Sequence, residues 1–149
     1  MKLIPYKAGH ARQILLREVE GYLQSCEDFD EWAKVNEGPE AWTALNSDNA
    51  VVACGGVREM WKGVGEAWLL LGKGIIGHEI WVCREIVERL KVLKFHRIQA
   101  HARTDFPLAH TFLHRLGFEE EGYMKMYYPD KCDAILYARA EQWVPPQYH

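Results

Sequence analysis

The sequence predicts a mixed α/β (α+β) fold, a central and mostly antiparallel sheet of about seven strands with about four helices, in the order β-α-α-β-β-β-α-β-α-β-β. Three observations carry that prediction. Val51 to Trp61 and Glu66 to Leu71 are apolar, strand-like runs joined by the short glycine-bearing turn Lys62-Gly63-Val64-Gly65. The second run empties through Gly72-Lys73-Gly74-Ile75-Ile76-Gly77 into an amphipathic helix expected over His78 to Leu93. Arg97 to Arg103 then alternates strictly, with Ile98, Ala100 and Ala102 on one side and Arg97, Gln99, His101 and Arg103 on the other.

The remaining elements follow in order. Lys2 to Tyr6 reads as a short strand, placed at an edge or end by Pro5. Ile14, Leu15, Val19, Tyr22 and Leu23 recur at helical spacing and predict a helix over His10 to Gln24. Glu27 to Glu37, carrying Phe29, Trp32 and Val35, reads as a second helix stopped by Gly38-Pro39. Glu40 to Leu45 is strand-like and Asn46-Ser47-Asp48-Asn49 is a dense turn signal. In the helix expected from His78, the apolar stripe is Ile80, Cys83, Val87, Leu90 and Leu93, with Trp81 beside it. Pro107 suits the first turn of another helix, whose face is Leu108, Ala109, Phe112, Leu113 and Leu116 and whose stop is Gly117. Glu119 to Tyr128 and Asp133 to Arg139 form a closing hairpin, and Val144 to His149 reads as a loose tail.

A chain of 149 residues is the length of one domain, expected to span 1–149, and is long enough for a core without staples. Its 48% hydrophobic and 26% charged content is that of a globular protein. A net charge of −3 provides no global field to draw in nucleic acid or an anionic membrane, so neither partner is expected. The four cysteines have no Cys-x-x-Cys pair, which suits a reducing compartment. The opening residues lack a signal peptide's apolar stretch and no window approaches a membrane span, so the expectation is a soluble, cytoplasmic protein.

The glycine run makes a physical offer. The first amides of a helix have no internal partner and the dipole there is positive. Glycines let a bulky anion reach the backbone, and Lys73 adds a charge, so a phosphorylated cofactor fits as well as an ordinary tight connection does. The run also spells Gly-x-Gly-x-x-Gly, but a dinucleotide fold requires an acidic residue about 20 positions on, and Arg97 to Arg103 has none.

Ala109 to Phe118, ending Arg115-Leu116-Gly117-Phe118, followed by Glu121-Gly122, resembles the helix that closes in Leu-Gly-Phe before the last hairpin of the GNAT superfamily of N-acetyltransferases. Ala53-Cys54-Gly55-Gly56-Val57 and Gly65 to Leu71 resemble that family's third and fourth strands, and the likeness extends over nearly the whole chain. More narrowly, the wording is similar to small members encoded by tailed bacteriophages. The resemblance implies an acetyl-CoA-dependent N-acetyltransferase with direct attack by an amine and no metal. It implies acetyl-CoA in a V between the fourth and fifth strands, its arm on Leu69, Leu70 and Leu71. Its pyrophosphate would lie on the amides of Gly72, Lys73, Gly74, Ile75, Ile76 and Gly77.

The sequence departs from the family pattern at three places. Arg/Gln-x-x-Gly-x-Gly/Ala falls on Leu69-Leu70-Leu71-Gly72-Lys73-Gly74, with Leu69 at the Arg/Gln position, and a register on Gly74 and Gly77 fits equally. The family's Asn before the last helix is Phe106 here, one place after Asp105, and its Tyr is Leu113. These losses imply the rival reading, a GNAT-shaped structural or binding protein without catalysis, a virion component for instance. Partners then range from an amine substrate to a second copy or a virion protein.

Acyl transfer to an amine of pKa about 10.4 needs a proton acceptor. Glu66 matches the position where the histone-acetylating branch carries its base; otherwise it is a strand-end carboxylate. The amide near Leu71 would polarise the thioester carbonyl. His101 shares a strand face with Arg97, Gln99 and Arg103 and is a cleft candidate. His110 and His114, four apart, have no evident third ligand and read as solvated helix surface. Tyr123, Tyr127, Tyr128 and Tyr137 read as hairpin core, one of them a candidate for the missing acid.

Overall fold

The structure is a computed structural model that describes residues 1–14 and 18–141, the side chains of 18–20 apart. Leu15, the side chain of Val19 and the tail from Val144 lie outside the described residues. Among the described residues seven strands form one sheet in the order β1-β2-β3-β4-β5-β7-β6: β1 Lys2–Pro5, β2 Ala41–Leu45, β3 Val51–Trp61, β4 Val64–Leu71, β5 Arg97–Arg103, β6 Glu119–Met124 and β7 Ala134–Ala140. Four α-helices, α1 Ala8–Gln13, α2 Phe29–Val35, α3 Glu79–Val92 and α4 Pro107–Arg115, complete the expected order, with 3₁₀ segments at Glu18–Ser25 and Lys73–Ile75. Every neighbouring pair is antiparallel except β4 with β5. Among the described residues no helix is long and apolar enough to cross a membrane.

Strand alternation splits the core into two layers. Leu70, Cys54 and Trp68 face Tyr6, Ala11, Ile14 and Phe29, beneath α1 and α2. Their neighbours Leu71 and Ala53 face the opposite way, onto Val82 of α3 and Phe112 of α4. A third group packs Ile98, Ala100 and Ala102 of β5 against Leu116, Phe118 and Tyr137.

Several elements differ from the periodicity. The helix expected over His10 to Gln24 ends at Gln13, because Ile14 turns extended with ψ 133°. Gln24 holds the break: its side-chain amide donates to the carbonyls of Ala11 and Ile14, both at 2.9 Å, which the shortened helix leaves open. α2 is likewise short, and Val35 is exposed rather than core. On α3 the buried stripe runs through Val82, and Ile80 is 72% exposed. Trp81, read from sequence as lying beside the stripe, packs toward Leu71 and Ile75. β4 begins at Val64 because Gly63, at φ +86°, completes a tight turn whose carbonyl accepts from His96 (2.9 Å) and Arg97 (3.2 Å). β6 stops at Met124, since Asp133 captures the Met126 amide at 2.8 Å and Met126 takes φ 52°. That early stop releases Tyr127 and Tyr128 from the strand.

Arg103 locks the end of β5. Its guanidinium bonds Asp105 (2.9 and 3.0 Å) and Asp130 (3.1 and 2.7 Å) and lies over the rings of Tyr22 (4.7 Å) and Tyr128 (5.1 Å). These bonds hold the Asp105 and Asp130 carboxyls below the ordinary carboxylate range. Because the folded value lies below the unfolded one, the stabilisation is complete above the unfolded value of about 3.9 and is lost as pH falls through the folded values. The melting temperature is therefore expected to fall below about pH 4, and less steeply in an Asp130→Asn variant. Equal acid slopes for the two proteins would remove this clamp from the account of stability.

Candidate functional site

The parallel pairing of β4 with β5 covers only Val64↔Arg97, Gly65↔Ile98 and Glu66↔Gln99. Beyond that point both strands continue, β4 to Leu71 along β3 and β5 to Arg103 along β7, but not along each other. The sheet is therefore split from the middle of β4 to its C-terminal end, leaving strand edges free to bond a ligand's extended chain. A cavity of about 180 Å³ occupies this region, its walls including Leu69 and Leu71 of β4, Ala100 and Ala102 of β5, and Trp81, Val82 and Ile86 of α3. Phe106, the residue preceding α4, lines it as well, and so does Leu113. The positions that hold Asn and Tyr in the family pattern thus present apolar walls here.

Glu66 stands at the apex of the split. Its Oε1 accepts from Nε2 of His101 at 3.1 Å, and its Oε2 is 3.9 Å from Arg58. His101 in turn has Nδ1 3.0 Å from the Tyr128 hydroxyl and Nε2 3.1 Å from that of Tyr127. The His101 hydrogen bond, followed by its charge and that of Arg58, holds the Glu66 carboxyl below the ordinary range against the opposing effect of burial. An ionised carboxylate only accepts, so the His101 Nε2–H is the donor in this bond. Tyr127 is pushed up by burial and by the Glu66 charge.

The glycine run behaves differently along its length. Lys73–Ile75 is a 3₁₀ turn, Ile75 is fully buried, and a Cβ on Gly74 would stand 2.6 Å from Val52 Cγ1. This half of the run is packed onto β3 and offers little backbone to an anion. Gly77 at φ +88° is open, and α3 starts two residues later, with Val82 N–H to His78 the first bond across its first turn. The amides of Glu79, Ile80 and Trp81 precede that bond. Of the two registers, the one ending on Gly77 sets its last glycine beside these amides. The Gly77 N–H itself donates to Oε2 of Glu79 at 2.9 Å, so an acidic side chain already lies where an anion would approach.

His101 and Glu66 were each visible as candidates, but their contact, and the parts of Arg58, Tyr127 and Tyr128, were not. The available signal was the shared face of His101, Gln99 and Arg97; the missing one was the parallel register of strands separated by a helix. The histidine pair on α4 also behaves differently from the solvated reading. His110 bonds the Tyr137 hydroxyl (2.6 Å) and the Arg103 carbonyl (2.7 Å), tying α4 to the sheet. Only His114 is open to solvent, 3.9 Å from Glu120. No group of three potential metal ligands occurs among the described residues.

No family model matches the chain, and no curated protein matches it. Solved structures do. An acetyltransferase of the GNAT family from Bacillus anthracis superimposes with a TM-score of 0.66 at 14% identity, covering 93% of each chain. The ribosomal-protein-S18-alanine N-acetyltransferase of Escherichia coli gives 0.70 at 14%, covering 99% of this chain and 98% of the other. A spermidine/spermine N-acetyltransferase of Vibrio cholerae gives 0.61 at 16%, covering 93% and 91%. With its seven-stranded order, its single parallel pair and the split beside it, the chain has the fold of the GNAT acetyltransferases.

Proposed function

We propose that the protein is an N-acetyltransferase that moves an acetyl group from acetyl-CoA to an amine by direct attack. The observation that carries this reading is the split between β4 and β5, open along Ala67 to Leu71 and ending on the Glu66–His101–Tyr128 chain. Acetyl-CoA, when bound, supplies the activated acyl thioester. Leu69, Leu70 and Leu71 would hold its extended arm through their backbone, Phe106 would pack against it, and Gly77 with the first turn of α3 would meet its phosphates. Glu66 does the proton work and His101 positions it. A carboxylate held below its ordinary range is a weak base toward an ammonium of pKa about 10.4. Glu66 therefore draws the ammonium in, orients it and takes its proton on the carboxylate, which His101 holds in place through Nε2. The free amides of β4 lie where charge develops on the carbonyl oxygen.

The Glu79 contact and Leu69 at the Arg/Gln position favour the rival reading, a binding protein of this fold without catalysis. Calorimetry and thermal shift with acetyl-CoA at about 1 mM separate the two, since a ligand of the folded state raises its melting temperature by several degrees. The catalytic reading expects such a shift and thiol release with an amine panel. Glu79→Gln is expected to tighten binding by about two- to fivefold by removing a like charge from the helix start. Absence of any shift in both proteins sinks the enzyme.

A further inference from the structure

Beside the Glu66 carboxylate stands an arginine that takes no part in the proton transfer. Arg58 lies directly across from Glu66 in the β3–β4 register, on the same face of the sheet. Its closest approach to the Glu66 carboxylate is 3.9 Å, too long for a hydrogen bond, although neighbouring side chains of this length can close to about 2.8 Å. Its Nε is buried with no hydrogen-bond partner, while the side chain as a whole is 41% exposed. The two arginines of β5 are saturated, whereas Arg89 of α3 bonds Glu85 and lies over the Trp42 ring. Arg97 holds Glu121 at 3.1 and 2.7 Å, and Arg103 holds two aspartates. Arg58 is thus a guanidinium with donors to give, set beside the carboxylate that is to receive the substrate amine.

This placement discriminates between amines. A polyamine or plain alkylamine arriving at Glu66 competes with a second cation within about 4 Å of the same carboxylate and brings no negative charge of its own to it. A molecule with a carboxylate two bonds from its amine meets both charges with the right sign. Resting on the acyl-transfer reading above, we propose that the acceptor is a zwitterionic α-amino acid, its ammonium on Glu66 and its carboxylate on the guanidinium of Arg58. Arg58 is then the residue that sets specificity, because a site that offers donors to a carboxylate rejects analogues lacking one.

The test uses the full chain with acetyl-CoA and three matched sets of acceptors: L-amino acids, their α-amides and their decarboxylated amines. Thiol release is expected with the free amino acids, with kcat/KM about ten to a hundred times that of the amides or amines, the range of a charge-assisted hydrogen bond. Arg58→Gln should bring that ratio close to one, and Arg58→Lys should restore part of it, which a merely structural role would not. Amides or amines used as well as amino acids, or a ratio untouched by Arg58→Gln, overturns the proposal and leaves acyl transfer standing. Should no acceptor release thiol, saturation-transfer NMR of the amino acids without acetyl-CoA decides separately. Contact that is lost in Arg58→Gln supports the pocket, and its absence in the wild type refutes it.

Discussion

Glu66→Gln is expected to lower kcat by about a hundredfold to ten-thousandfold, the range for a positioned proton-transfer group, with little change in acetyl-CoA affinity. Glutamine keeps the shape, and its carbonyl oxygen can still accept from His101 Nε2, so the apex of the split should survive. What disappears is the negative charge that draws in the ammonium and takes its proton. The acceptor's KM should rise as well, because attraction is lost along with basicity. Steady-state thiol release and calorimetric titration with acetyl-CoA measure the two effects separately. A variant within threefold of wild-type kcat would show that the proton leaves by another route. A variant that no longer binds acetyl-CoA would show that Glu66 shapes the cleft rather than serving its chemistry.

The second large effect is on stability. Gly56→Ala is expected to destabilise the protein by about 3 kcal/mol or more, at the upper end of overpacking costs. A methyl group there would collide with the Glu40 carbonyl oxygen and stand 2.7 Å from Ala41 Cα, backbone atoms at the start of β2 that cannot step aside. β2 is held from both sides at this point: on the β3 side Val57 N–H donates to the Glu40 carbonyl at 2.9 Å and Ala41 pairs with Gly56, and on the β1 side Tyr6 N–H donates to the Ala41 carbonyl at 3.0 Å. Gly55→Ala is the natural control, for there the closest atom is the Leu69 Cδ1 side-chain methyl at 2.9 Å, although the Trp68 carbonyl at 3.0 Å limits the relief. Urea unfolding should show a lower midpoint for Gly56→Ala with an unchanged slope. Similar midpoints for Gly56→Ala and wild type would mean that β2 is far more compliant than its bonds suggest.

Where the sequence reading succeeded and where it slipped have separate physical causes. Strand and helix existence follows from local alternation and from breakers such as Pro107 and Gly117, so element order could be read. Helix faces were less secure. Cys83, Val87, Leu90 and Leu93 of the expected α3 stripe do pack against the core, but Ile80 is exposed and Val82 is buried instead, a choice made by packing rather than by periodicity. The periodicity from Ile14 to Leu23 is continuous, yet the helix ends at Gln13 and the carbonyls it leaves are bonded by Gln24, a residue at the far end of the segment.

The glycine run shows the same division. Its composition announced a tight strand-to-helix passage, and one exists. Which of its amides stay open depended on two contacts the composition cannot express, Gly74 against Val52 and Gly77 against Glu79.

By itself the sequence determined the order of seven strands and four helices along the chain and the presence of Glu66 and His101 among its chemically capable residues, because these rest on periodicity and residue type. The resemblance implied a V between the fourth and fifth strands, but only the tertiary structure decided that it opens after Glu66 and Gln99 and that Glu66, His101, Arg58 and Tyr128 meet there. Parallel pairing joins strands that are 25 or more residues apart and carries no local signature, so the register that assembles the site is written in packing alone.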